Sequence, residues 1–118
     1  MSNSLVNMKL DGPVSVIELS LPASLDAEEF DRLNQLIQDA VNETPRGKWV
    51  VDLQAAEYVG SAVLGLLVNV RQQIKQASGR LVLCGLSERM LEVFHTCSLE
   101  RLFQVRPTRD EAMQAAMR

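Results

Sequence analysis

Apolar and polar positions change their period several times along the chain. Val6, Met8 and Leu10 alternate with polar residues, the period of a strand covered on one face. Asp11-Gly12-Pro13 turns the chain, and Val14, Val16, Ile17 and Leu19 follow as a second strand, so this opening predicts an antiparallel hairpin. Pro22 ends it. From Asp26 the period becomes helical: Phe30, Leu33, Ile37, Ala40 and Val41 share one face, with Leu36 alongside. Asp26 and Glu29 stand at capping-box spacing, and Leu25 and Phe30 at that of a hydrophobic staple. Pro45 and Gly47 stop the helix.

Trp49-Val50-Val51-Asp52-Leu53 reads as a strand buried on both faces. Val63, Leu66, Leu67, Val70 and Ile74 then lie on one helical face, widened by Leu64 and Val68. A helix from Ala62 to Ala77 is about 24 Å long, enough to be the central one. Leu81 to Cys84 is another buried strand, closed by Gly85, and Ser87 caps a helix carrying Met90, Leu91, Val93 and Phe94. Leu102 to Val105 reads as a last strand, and Thr108 with Glu111 caps a C-terminal helix. The order ββαβαβαβα predicts one α/β domain over residues 1–118. Its four- to five-stranded sheet is mainly parallel, its crossovers are right-handed, and about four helices cover it.

A length of 118 residues suits one domain, and 47% apolar with 23% charged residues is the balance of a globular one. Only Phe30, Trp49, Tyr58, Phe94 and Phe103 are aromatic, so the core is aliphatic. Twelve Lys and Arg against fifteen Asp and Glu give a net charge of −3, and the basic residues are scattered. That excludes the basic stripe of a nucleic-acid surface. No apolar stretch reaches the length of a membrane span, and the N-terminus lacks the pattern of a secretory signal. Cys84 and Cys97 form neither a CxxC nor a disulfide framework, and reduced cytoplasmic thiols are expected.

Reactive groups are few. His95, the sole histidine, stands near a helix end, and Cys97 does not share its helix face. One His and two separated Cys fall short of a zinc site, and neither a P-loop nor GxGxxG occurs. Carboxylates such as Asp52, Glu57, Glu28 and Glu29 have no distinguishing context and are expected to be solvated or to cap. What remains is Glu57-Tyr58-Val59-Gly60-Ser61-Ala62-Val63-Leu64-Gly65, between a buried strand and the central helix. Ser61 is the only Ser or Thr between Thr44 and Ser78. Its plain role is the N-cap. A helix N-terminus also accommodates an anion, and a phosphate added to Ser61 would be compatible with the fold.

The strand Trp49 to Leu53, the loop Tyr58 to Gly65 and the stretch Gly79 to Ser87 together resemble the STAS domain family, in its anti-sigma factor antagonist branch. Leu91-Glu92-Val93-Phe94 through Leu99-Glu100-Arg101-Leu102-Phe103 is similar to that family's ending, and Ser24-Leu25-Asp26 to its short G-x-L-D signature. The family's loop commonly reads D-S-S-G or D-S-[ST]-G, and Ser61 falls on the first serine, the phosphorylated one. Gly60 stands where the family has Asp, Ala62 where it has the second Ser or Thr, and Val63 where it has Gly. The last change is expected to alter the width of the loop that partners touch.

The resemblance implies a non-enzymatic cytoplasmic switch without a cofactor. In that family a serine-kinase anti-sigma factor binds the antagonist and phosphorylates it, and a phosphatase reverses the step. Unphosphorylated antagonist sequesters the kinase and frees the sigma factor. The expected partner surface is Tyr58, Gly60, Ser61, Ala62 and Leu64, joined by Asp26 and Glu28 and extended by Arg71. The alternative is a STAS interaction module that is not phosphorylated, an accessory subunit of a transporter ATPase or a sensor complex. Some relatives touch nucleotides, so a weak nucleotide contact is also an expectation, although nothing Gly-rich here cradles phosphates.

Overall fold

The computed structural model describes residues 5–22, 25–56 and 60–118. Strand β1 (Val6–Asp11) pairs antiparallel with β2 (Val14–Leu19), and the chain continues through α1 (Ala27–Asn42), β3 (Lys48–Asp52) and α2 (Ser61–Gln76). Strand β4 (Arg80–Cys84), α3 (Glu88–Thr96), a 3-10 turn (Leu99–Arg101), β5 (Gln104–Arg106) and α4 (Arg109–Met117) complete it. The five strands lie in sequence order, and β2 to β5 are mutually parallel. The expected mixed α/β architecture is thus observed, with β3 in the middle.

Three successive crossovers step the same way across the sheet, and one handedness puts their helices on one face. Leu33, Ile37 and Val41 of α1, Val63, Leu66, Leu67, Val70 and Ile74 of α2, and Met90 and Phe94 of α3 pack there on Ile17, Leu19, Trp49, Val51 and Leu83. The other face carries Val14, Val16, Val50, Val82 and Cys84, covered by Ala112, Ala115 and Ala116 of α4. Alternate residues of β2, β3 and β4 thus feed two cores, which is why those strands read as nearly continuous apolar runs.

Helix starts follow their caps. Asp26 Oδ1 accepts from the Glu29 N–H at 2.8 Å, Ser87 Oγ from the Met90 N–H at 3.1 Å and Thr108 Oγ1 from the Glu111 N–H at 3.2 Å. Leu25 and Phe30 both pack against the larger core.

Three expectations change. Leu10 alternates in sequence but is 75% exposed, because it lies opposite Ser15 at the hairpin end, where neither core extends. Leu91 is 47% exposed, because Met90 and Phe94 form the buried line of the short α3 and Leu91 stands about 100° round from Met90. The last strand starts at Gln104, not Leu102. The 3-10 turn takes the Leu102 and Phe103 N–H groups onto the Leu99 carbonyl, leaving Leu102 41% exposed. Phe103 then packs on Phe94 with ring centroids 5.7 Å apart.

Two glycines hold left-handed backbone for different reasons. Gly12, φ +60°, leads the two-residue hairpin turn, and a Cβ there would meet open space. Gly85, φ +73°, ends β4 where a Cβ would stand 2.8 Å from Asp52 Oδ1 and 2.8 Å from the Gln54 nitrogen. Gly12→Ala is expected to cost about 1–2 kcal/mol from backbone conformation alone. Gly85→Ala is expected to cost at least about 1 kcal/mol more, from overpacking. Urea unfolding of the two variants checks the difference.

Candidate functional site

Each helix follows a strand of the parallel set, so all four helix N-termini gather at the carboxyl edge of the sheet. This is the edge at which open α/β sheets bind ligands. Helices α1 and α2 pack on each other and run the same way, which brings the Asp26 end of α1 to the edge that carries the start of α2.

Ser61 is not the N-cap of α2. Gly60 is, in extended backbone with φ −103° and ψ 174°, and it has no side chain to accept from the first-turn N–H groups. Its carbonyl accepts from the Leu64 N–H at 3.1 Å. Ser61 is therefore the first helical residue, exposed, and its hydroxyl makes no hydrogen bond to a described residue. Ala62 and Gly65 are exposed beside it, and Leu64 is half-buried. Val63 is 3% exposed and belongs to the core, so its side chain is not part of the exposed surface around Ser61.

The other expected surface residues divide. Asp26 is exposed, and the Glu29 N–H holds its carboxyl below the usual range, as a cap should. Glu28 pairs with Arg32 one turn on, at 3.3 Å. Tyr58 lies outside the described residues, as does Glu57. Arg71 stands about 15 Å along α2 from Ser61. Its Nε donates to the Leu102 carbonyl, tying α2 to the turn before β5 rather than joining the Ser61 surface.

Asp52 corrects the reading of its carboxylate as solvated. It ends β3 at 6% exposure. Its Oδ1 accepts from the Gln54 N–H at 2.9 Å. Its Oδ2 accepts from Arg109 Nε at 3.1 Å and Nη2 at 2.8 Å. Arg109 Nη2 also donates to Glu18, the residue facing Asp52 on β2. Lys9 Nζ at 3.3 Å and Asn7 Nδ2 at 2.9 Å complete the partners of Glu18. Spacing could not reveal a pair 57 positions apart. One signal was available, since a cation in the first turn of a helix opposes the helix dipole and so calls for a nearby carboxylate.

Asn7, Glu18, Ser20, Asp52, Gln54 and Arg109 line an open cleft of about 350 Å³ beyond the ends of β1 to β3. Among the described residues no group of three or more His, Cys, Asp or Glu is placed to hold a metal. Burial, with the Asp52 charge adding, pushes the Cys84 thiol up to about 12, so it is neutral and unreactive at neutral pH. Cys97 is exposed, and His95 Nδ1 pairs with Glu100 Oε1 at 3.0 Å.

The Arg109 hydrogen bond, foremost, holds the Glu18 carboxyl below its ordinary 4.5, with Asn7 and Lys9 assisting against desolvation. A pKa lowered on folding contributes stability above pH 4.5 and loses it as pH falls through the folded value. The stability lost in Glu18→Gln is expected to be greatest near neutral pH and to shrink as pH falls below 4.5 and through the folded value. Urea titrations of both proteins across that range measure it.

The family model of the STAS domain matches residues 7–112. BtrV of Bordetella bronchiseptica, named as a candidate anti-sigma factor antagonist, is 30% identical over 109 residues, which are 91% of this chain and 89% of BtrV. An anti-sigma-factor antagonist (STAS) domain protein from Planctomyces limnophilus superposes with a TM-score of 0.82 at 25% identity, over 96% of this chain and 98% of the other. SpoIIAA of Bacillus in its phosphorylated form superposes with a TM-score of 0.68 at 19% identity, over 93% and 97%, a likeness of fold. With the family match running from β1 into α4, and the strand and helix order found here, the chain belongs to the STAS domain family.

Proposed function

We propose that this protein is an anti-sigma factor antagonist that docks a serine-kinase anti-sigma factor at the start of α2 and is released by phosphorylation of Ser61. The observation that carries the reading is the position of Ser61: first residue of the central helix, exposed, with a hydroxyl the fold does not use. BtrV, the relative at 30% identity, supports the function through its name. Gly60, Ala62 and Leu64 flank the hydroxyl, Tyr58 precedes it in the loop, and Asp26 and Glu28 open the neighbouring helix at the same edge.

In the transfer the Ser61 hydroxyl oxygen attacks the γ-phosphorus of an ATP held by the partner. It loses its proton, and ADP leaves. The product carries about −1.5 to −2 charge on the first residue of α2. First-turn N–H groups without a side-chain acceptor suit that charge, so the fold tolerates it. A partner surface packed over Ser61 does not. A penalty of about 3 kcal/mol weakens the complex more than a hundredfold. A phosphatase restores the binding form, and the cycle runs in the cytoplasm, where sigma factors act.

Ser61→Ala is expected to bind the partner whether or not ATP is present. Ser61→Asp and the phosphorylated protein are expected to bind about a hundredfold more weakly. Incubation with kinase and ATP, read by mass spectrometry and calorimetry, checks both. A partner that binds tightly yet leaves Ser61 unmodified overturns the switch. That result would favour a docking module indifferent to phosphate, such as a subunit of a transporter ATPase or sensor complex.

A further inference from the structure

The Asp52 carboxylate uses its two oxygens on different parts of the molecule. Oδ1 holds the Gln54 N–H, the first turn of the loop that runs from β3 to Ser61. Oδ2 holds the guanidinium of Arg109, the first residue of α4. Gly85 closes against both ends of the Oδ1 hydrogen bond, so the β4–α3 turn also rests on it. Glu18 and Asp52 face each other on adjacent strands, and Arg109 bridges the two. Without Arg109 two carboxylates would stand side by side at low exposure, and repulsion would turn Asp52 away from its present position.

We propose that Arg109 is a positioning residue for the loop that presents Ser61, acting through Asp52. The guanidinium fixes the rotamer of Asp52, and Asp52 fixes Gln54 at the point where the chain leaves the sheet. Helix α4, on the face opposite α2, is thereby coupled to the presentation of the serine. The consequence for partner binding rests on the reading of Ser61 given above, whereas the geometric coupling does not.

Arg80 supplies the control. Its Nη1 donates to the Ala115 carbonyl at 3.0 Å, tying down the other end of α4 without touching Asp52. Amide hydrogen exchange in the whole protein, followed by NMR, is read at Gln54 in the loop and at Val50 in the sheet. In Arg109→Gln the Gln54 amide is expected to exchange at least about tenfold faster while Val50 keeps its protection. Arg80→Ala is expected to leave Gln54 unchanged, and Arg109→Lys to restore part of the protection. Asp52→Asn keeps an oxygen for Gln54 and weakens the hold of Arg109, so it reads the same coupling should Arg109→Gln fail to fold. An unchanged Gln54, or equal acceleration at Gln54 and Val50, overturns the proposal. With the kinase present, the rate of Ser61 phosphorylation is expected to fall about tenfold in Arg109→Gln relative to Arg80→Ala. If the parent protein is never phosphorylated, the functional reading fails, and the exchange data alone decide the role of Arg109.

Discussion

Asp52 closes the middle strand with its carboxylate largely removed from water, and a carboxylate so placed must be paired and hydrogen-bonded. The sheet cannot supply the cation, since its neighbours across the register are Glu18 and Cys84. It comes from Arg109, and reaching Asp52 fixes where α4 begins and which face of the sheet it covers. The same carboxylate sets the first turn of the β3–α2 loop and requires a glycine at position 85. The second core and the departure of two loops therefore depend on one charge pair.

Parallel pairing of β2 to β5 gives the molecule two unlike edges. Every helix starts at the carboxyl edge, so backbone N–H groups, cap residues and loop polar groups collect there. Aliphatic side chains on both faces hold that edge rigid from below. Three helices close their N-termini with Asp26, Ser87 and Thr108. Helix α2 begins behind a glycine and carries a serine one position further on. A hydroxyl one residue earlier would be placed to cap, whereas at position 61 it makes no hydrogen bond to a described residue.

The fold was legible in the sequence because periods, caps and turn residues all act locally. Hydrophobic repeats located α1 and α2, and Asp26, Ser87 and Thr108 marked helix starts within a residue. Boundaries were lost where a short-range hydrogen bond overrode the pattern, as when the 3-10 turn drew in Leu102. Ser61 was legible as a position, but the N-cap role expected of it falls to Gly60, because a glycine and a serine in succession leave the start of a helix undecided by one residue. The ion cluster was illegible for a different reason. Glu18, Asp52 and Arg109 belong to β2, β3 and α4, and only the closed topology brings them together. Arg109 gave the one local sign, a cation at the unfavourable end of a helix.

The alanines beneath α4 have a consequence of their own. Ala112, Ala115 and Ala116 let the helix lie close to Val50 and Val82, but three methyl groups and the partly buried Met113 bury less apolar area than the rows of Leu, Ile and Val under α1 and α2. Attachment of α4 therefore leans on polar ties at its two ends, Arg109 to Asp52 and Arg80 to the Ala115 carbonyl. The seam between α4 and the sheet is then the natural boundary of cooperativity in this molecule. Opening of that seam would peel away one helix and bare a strip of valines while the α1–α3 layer stays closed.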